Sequence, residues 1–391
     1  MLALYGVATI ARGFQPQEPR LVLRLRSPTS RPEHAADVAL ARNAHEIDIA
    51  VSSGFTGAFV VRSEMHEPSR GNELPRMIQV PEKFDYLSDG DVLGFHSASR
   101  RFRTLYRRSS AHNSFLVTER CNHYCLMCSQ PPRDVDDSWI LREIREALPL
   151  VDKQTRYLGF TGGEPLLDWQ ELTAALRDCR DLLPQTAIHV LSNGRAFAST
   201  EIAAAWADVK HPALSVGIPI YSAVDTVHDY VVQAKGAFDE TVLGILKLKD
   251  KGQRVEIRVV LHAVTAPRIA ATCRWLARNL PFVDHVALMG LENTGFAIAN
   301  DDLLWIDPMD YREQLAEAVD VLAAGKVPVS VYNLPLCVLD RSVWSFAQQS
   351  ISDWKNDFVP ECERCDEKKR CSGFFTTGRP RYSRGIQAII N

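Results

Sequence analysis

The chain has 391 residues, 46% hydrophobic and 24% charged, a composition that excludes collagenous, disordered and disulfide-scaffold classes. At about 150 residues per domain, this length predicts two or three domains. Lys plus Arg (45) nearly balances Asp plus Glu (48), for a net charge of -3, so no global positive field draws it to nucleic acid or an anionic membrane.

Residues 1–112 differ in pattern from the remainder of the chain. Residues 21–26 and 57–62 read as short strands, Pro81-Glu82 and Gly90-Asp91 as turns, and residues 35–46 as a helix, which together predict a β-rich N-terminal domain. Residues 100–108 (RRFRTLYRR) carry five arginines interleaved with Phe102, Leu105 and Tyr106. That is the pattern of a strand with a solvated basic face, a peptide or nucleic-acid contact surface being the alternative.

From residue 114 the pattern becomes alternating β and α. Short apolar runs at 114–118, 157–161, 187–192, 214–220, 255–261 and 285–289 are separated by segments of helical period or length. Residues 168–180 form a helix candidate with Asp168 as cap and Glu171 in capping-box register, and residues 238–251 form another, ended by Gly252. Six βα units predict an α/β fold with a parallel sheet, right-handed crossovers and chemistry at the C-terminal strand ends. Because the best motifs follow several different strands, the expectation is a partial (β/α)6 TIM-type barrel over 113–310. Residues 311–324 read as a helix, followed by a loop around Pro328 and Pro335. Residues 311–391 are thus expected to include a small cysteine-rich C-terminal domain.

No stretch approaches the ~20 consecutive apolar residues of a membrane-spanning helix. Residues 1–14 lack the basic leader and long apolar run of a signal peptide, so the expected location is cytoplasmic. Six of the nine cysteines fall in two tight clusters far apart in sequence, a distribution that fits metal ligation better than disulfide pairing. Cys179 and Cys273 lie in helical segments and read as buried apolar residues.

Cys121, Cys125 and Cys128 follow the first core strand in C-x3-C-x2-C spacing, a pattern that random placement would produce about 0.005 times per chain. Three thiolates on one compact loop can hold three irons of a four-iron four-sulfur cube and leave the fourth iron open. A zinc site with His123 as fourth ligand is the alternative, although the usual paired CxxC arrangement is missing.

The segment LVTERCNHYCLMCSQPP, which contains this triplet, resembles the radical S-adenosylmethionine (SAM) superfamily. Gly162-Gly163-Glu164-Pro165 at the second strand end is similar to that family's GGEP element, where exposed backbone and the carboxylate engage the methionyl ammonium. Ser192-Asn193-Gly194 at the third resembles the polar element that contributes to the ribose and carboxylate pocket. The residue before the third cysteine is commonly aromatic in the family and is Met127 here. By the same analogy Arg258, and Asn293-Thr294-Gly295 with Gly295 at its end, could reach the cofactor from the fifth and sixth strand ends. His228-Asp229 resembles a stretch common in peptide-modifying members, with a helix-capping or surface role as the alternative. His262 reads as a structural histidine. The resemblance implies chelation of the open iron by the methionyl group, one-electron cleavage of the sulfonium to methionine and a 5′-deoxyadenosyl radical, and hydrogen abstraction from a substrate.

Cys362, Cys365 and Cys371, with Cys337 upstream, resemble the ligands of a shortened auxiliary iron-sulfur domain, the twitch domain. A structural zinc site is the alternative. Lys368, Lys369, Arg370, Arg379, Arg381 and Arg384 make a basic tail that reads as solvated. CNHYCLMCSQPP, the β-rich N-terminal region and CERCDEKKRCSGFF together resemble the radical maturases of the His-Xaa-Ser system. That resemblance implies a peptide or protein substrate, an external low-potential electron donor and a companion maturation protein. Small-molecule cofactor biosynthesis and a non-catalytic metal-binding protein are the other readings.

Overall fold

The computed structural model describes residues 4–14, 20–62, 74–349, 356–375, 377 and 381–390. Its N-terminal part is an eight-stranded mixed sheet. The strands are β1 (Tyr5–Val7), β2 (Ile10–Arg12), β3 (Arg20–Arg26), β4 (Asp37–Ala41), β5 (Gly57–Val61), β6 (Arg76–Val80), β7 (Val92–His96) and β8 (Arg101–Tyr106), in the order β1-β8-β7-β3-β4-β5-β6-β2. The outermost strands, β1 and β2, are joined by only Ala8 and Thr9, whose amides donate to Arg100 O and Gln79 O on opposite sides of the sheet (both 2.8 Å). A linker that short brings both edges together, so the sheet is curled. Alternation along the strands sends Leu23, Leu40, Phe59 and Phe102 into one buried cluster. Ala39, Ala58 and Val60 face the other way, against α1 (Ala44–Ser52).

The helix expected at 35–46 is therefore only partly present. Residues 37–41 form a strand buried on both faces, and such a strand shows no alternation to betray it. The helix starts at Ala44, where the Asn43 side chain accepts from Glu46 N at 2.9 Å.

The second sheet has seven parallel strands in sequence order: β9 (Asn113–Leu116), β10 (Tyr157–Thr161), β11 (Ala187–Leu191), β12 (Leu214–Pro219), β13 (Arg254–Leu261), β14 (His285–Gly290) and β15 (Val329–Tyr332). Between them run α2 (Trp139–Ala147), α3 (Trp169–Leu182), α4 (Thr200–Ala207), α5 (Asp225–Val232), α6 (Ala237–Asp250), α7 (Ile269–Asn279), the short α8 (Phe296–Ala299) and α9 (Asp301–Leu304), and α10 (Arg312–Ala324). Each strand pairs with its successor and β9 does not pair with β15, which makes this the partial TIM-type barrel the sequence predicts. A seventh strand joins the expected six. It is four residues long and follows Pro328 directly, so the parallel sheet continues past residue 310. Leu158, Phe160, Ile188, Val190, Val216, Ile257 and Val286 pack the helix side of the strands, fully buried. Each of these side chains contributes about 1.5–3 kcal/mol by its burial.

After β15 come two short antiparallel strands, β16 (Asn356–Asp357) and β17 (Phe374–Phe375), and 3-10 turns that carry Cys337 and Cys362. The basic tail is exposed, as expected, and three of its arginines are also ion-paired. Arg370 bonds Glu367, Arg381 bonds Asp301 and Arg384 bonds Asp307, each at 3.0–3.1 Å; Arg379 lies outside the described residues. No helix among the described residues is long and apolar enough to cross a membrane.

Arginines in β8 and just beyond it also do more than face solvent. Arg103 Nε donates to Glu143 on α2 at 2.7 Å and Arg108 Nε to Asp152 at 2.7 Å, while Arg20 and Arg103 stack on Trp139 with guanidinium carbons 3.2 and 4.7 Å from its ring. Glu143 is buried, so removing it strands a largely buried guanidinium. Glu143→Ala is expected to lower stability by about 3 kcal/mol in urea unfolding, with the N-terminal sheet separating from the barrel first. Loss of less than about 0.5 kcal/mol would show that this pair does not join the two sheets.

Candidate functional site

The cysteine triplet sits on the loop that leaves β9, and this loop is fixed along its length. Val117 N bonds Thr161 O at 2.7 Å, Gly163 N bonds Thr118 O and Glu164 N bonds Arg120 O, both at 2.8 Å. A Cβ on Gly163 would stand 1.9 Å from Arg120 O, so only glycine permits this approach. Asp137, buried, accepts from Thr118 Oγ1 (2.8 Å), Glu119 N (2.5 Å) and Arg120 Nε (3.0 Å). Arg120 also pairs with Asp168. Asp168 therefore holds the loop rather than capping α3 through its side chain. Farther along, Leu126 N bonds Val231 O on α5 at 2.9 Å, and Asn300 Nδ2 bonds Leu126 O at 2.8 Å.

This loop forms one wall of a cavity of about 290 Å³ at the C-terminal strand ends, close to the ~300 Å³ lower end of small-molecule sites. Cys121, Cys125 and Cys128 all line it, together with Gly162, Gly163, Ser192, Asn193 and Arg258. All three are free thiols. Burial pushes the Cys121 thiol up to about 11 and raises Cys125 and Cys128 as well, as expected for bare thiols that a metal would deprotonate.

Glu164 is placed differently from the sequence expectation. It is 1% exposed and is not among the residues lining the cavity. Its carboxylate accepts from Leu166 N (2.9 Å), Ser192 Oγ (2.9 Å) and Asn193 N (2.6 Å). Burial raises its pKa, and these donors work against that rise. Pro165 opens the 3-10 turn that Glu164 caps. Glu164 thus ties the β10 end to the β11 end, and Asn193 Nδ2 continues the chain to Asn122 Oδ1 in the cysteine loop at 2.6 Å.

Gly295 lies behind the cysteine loop, not in the cavity wall. Its φ is +56° and a Cβ would meet Cys128 O at 2.4 Å, while Phe296 N bonds that same carbonyl at 2.8 Å. Asp229 accepts from Gly236 N (2.5 Å) and Phe238 N (2.9 Å) at the start of α6, the capping alternative. His228 and His262 are buried, and each accepts a backbone N–H at Nδ1.

Beneath the cavity lies a polar floor that the sequence reading missed. Glu256 accepts from His285 Nδ1 (2.9 Å) and Arg258 Nη1 (2.9 Å), with His189 Nε2 at 3.6 Å. His189 and His285 reach on to Ser215 and Ser330 at 2.9 and 3.0 Å, and Arg258 Nη2 donates to Met289 Sδ at 3.0 Å. The signal was available in AIHVL, VEIRVVL and HVALMG, because strands buried on both faces should read as continuous apolar runs. Each polar interruption marks a position that faces the barrel interior.

Cys337, Cys362, Cys365 and Cys371 come together around one small pocket, also lined by Pro335 and Lys368. Leu336 N and Ile389 N point at Cys371 Sγ and Cys365 Sγ, both at 3.4 Å. Among the described residues, no three Cys, His, Asp or Glu side chains close to single-ion distance.

Residues 115–276 match the family model of the radical SAM superfamily, a family that implies a 4Fe-4S cluster and SAM. None of the curated proteins matches the chain. Among solved structures, SuiB from Streptococcus suis bound to S-adenosylmethionine is 14% identical with a TM-score of 0.44 over 56% of this chain and 49% of that one. Native anSMEcpe with bound AdoMet is 16% identical with a TM-score of 0.43 over 56% and 62%. A radical SAM methyltransferase from Sphaerobacter thermophilus is 15% identical with a TM-score of 0.43 over 62% and 72%. The chain spans about half the length of SuiB.

The floor makes stability depend on acid. Burial would raise Glu256, but the His285 hydrogen bond and the Arg258 charge bring it down to about 2. A depressed carboxylate contributes stability that is complete above its unfolded pKa, about 4.3, and is lost as pH falls through about 2. Glu256→Gln is expected to cost about 2–3 kcal/mol at pH 7 in urea unfolding, with the gap to wild type closing between pH 4.3 and 2. A gap that stays constant over that window would contradict the assignment.

Proposed function

We infer that the chain is a radical SAM enzyme that modifies a peptide or protein, with the cavity at the strand ends as its active site. The observation that carries this is the meeting of Cys121, Cys125 and Cys128 with Gly162, Gly163, Ser192, Asn193 and Arg258 around one cavity. The donor set fits the implied cluster: three thiols on one anchored loop, all lining one cavity. When bound, a four-iron cluster with an open iron supplies the electron that splits the SAM sulfonium and yields a 5′-deoxyadenosyl radical.

The chain's own residues bind and orient. Cys121, Cys125 and Cys128 would hold the cluster, and the Gly162-Gly163 backbone, which lines the same cavity, would engage the methionyl group of SAM. Ser192 and Asn193, held by Glu164, would present their remaining polar atoms to the ribose and carboxylate, and Arg258, held by Glu256, would offer guanidinium N–H groups to the carboxylate. Glu164 acts as a positioning residue for Ser192 and Asn193. The apolar wall at Met127, Val260 and Leu291 limits water around a reactive intermediate.

Cys337, Cys362, Cys365 and Cys371 are read as the ligands of a second iron-sulfur cluster. Their gathering at one pocket supports a metal there, and a structural zinc is the competing outcome. A polymeric substrate is supported by a groove of about 840 Å³ between the N-terminal sheet and α2. An external low-potential electron donor and a companion maturation protein complete the proposed system.

Anaerobic reconstitution is expected to load roughly eight iron atoms per chain, and roughly four in either Cys125→Ala or the Cys362→Ala/Cys365→Ala double variant, each of which leaves only two thiolates at its site. 5′-Deoxyadenosine formation from SAM should vanish in Cys125→Ala and persist in the Cys362→Ala/Cys365→Ala double variant. Full cleavage in Cys125→Ala would overturn the assignment, and zinc retained by the Cys125→Ala protein would reassign the C-terminal site. A fully loaded wild-type protein that never cleaves SAM would instead be a binding protein without turnover.

A further inference from the structure

Tyr221 places an unused hydroxyl beside the cysteine triplet. The residue follows β12, and the alternation of that strand runs on through it. Gly217, Pro219 and Tyr221 line the cavity of the triplet, while Ile218 and Ile220 are fully buried in the core on the helix side. Its position is fixed from two directions. Tyr221 N donates to His228 Nδ1 at 3.2 Å and the two rings lie 5.8 Å apart, so His228 holds the tyrosine in place. The ring also packs with Met127 and Cys125 of the cysteine loop. Only 9% of the residue is exposed, yet its oxygen is not one of the sealed polar atoms without a partner, so the hydroxyl opens on the cavity that the residue lines. It makes no hydrogen bond among the described residues, and the ionisable groups that act on it are Cys125, Cys128 and Arg258, in that order.

We propose that the Tyr221 O–H donates a hydrogen bond to a sulfur of the iron-sulfur cluster held by Cys121, Cys125 and Cys128, and thereby raises the reduction potential of that cluster. A phenol is protonated at neutral pH, and a donor enclosed by apolar side chains without an acceptor is unfavourable. This O–H therefore suits a group that brings an acceptor of its own. Thiolate and sulfide sulfurs are such acceptors, and hydrogen bonds to them are among the levers that set a cluster's potential. Donation favours the more negative, reduced cluster, so the potential moves up and electron entry from an external donor becomes easier. The inference rests on the cluster reading of the triplet.

Potentiometric titration followed by electron paramagnetic resonance tests it, on full-length reconstituted protein carrying Cys362→Ala/Cys365→Ala so that only the triplet cluster reports. Adding Tyr221→Phe is expected to make this cluster about tenfold harder to reduce, a potential about 59 mV lower. In D2O, electron-nuclear double resonance of the reduced cluster should show one exchangeable deuteron coupling that is lost in Tyr221→Phe. Because the hydroxyl has no partner within the protein, the urea midpoint of the unloaded protein should not move on this substitution. An unchanged potential, a spectrum that keeps every deuteron coupling, or a lowered urea midpoint would each overturn the proposal, the last by showing that the hydroxyl is bonded inside the fold. The two readings fail differently. A folded protein that assembles no cluster at the triplet rejects the enzyme and this proposal with it, whereas a cluster whose potential ignores Tyr221→Phe rejects the proposal alone.

Discussion

Two backbone hydrogen bonds, from Gly163 N to Thr118 O and from Glu164 N to Arg120 O, are the constraint on which the rest of the site depends. They seat the cysteine loop against the end of β10 at a separation that no side chain at residue 163 could share. The carboxylate of Glu164 then carries the connection to β11 through Ser192 and Asn193, and Asn193 returns it to the loop through Asn122. Three strand ends and the loop become one closed circuit of hydrogen bonds. Held this way, thiols separated in sequence keep fixed relative positions before any metal arrives, which is the preorganisation that cofactor chemistry demands of its protein.

Below that rim the barrel interior departs from the layered apolar filling usual for parallel barrels. Glu256 gathers His285, Arg258 and His189, and the network stops just under the cavity wall. Burying so many polar groups is unfavourable unless each is paired. Here the pairing also fixes the direction of one guanidinium. Arg258 is thereby held toward the cavity by contacts that a ligand need not supply. Stability and binding geometry are coupled through the same carboxylate.

Much of this was legible in the sequence because the relevant physics is local. Six parallel strands showed as short apolar runs, and the cysteine spacing and the double glycine stood out as rare patterns placed at strand ends. What escaped notice depends on contacts distant in sequence. Residues 37–41 read as helix because a strand covered on both faces has no alternation, and β15 was hidden by its brevity between Pro328 and Pro335. Glu164 was expected to face a ligand, and instead its burial and its donors 28 and 29 residues away make it a brace. Gly295 was read as a cofactor contact, while its positive φ and its closeness to Cys128 serve the packing of the loop. The floor histidines were visible as polar interruptions, but only the sheet register shows that they share one interior.

The most direct measurement is low-temperature electron paramagnetic resonance of the dithionite-reduced Cys362→Ala/Cys365→Ala protein, in which the C-terminal site keeps only two thiolates and the triplet site is isolated. A reduced-cluster signal whose g values shift when SAM is added is the expected result, since only an iron with a vacant coordination position can be altered by the cofactor. A spectrum indifferent to SAM, or no cluster signal from protein that has retained its fold, would contradict the assignment of Cys121, Cys125 and Cys128.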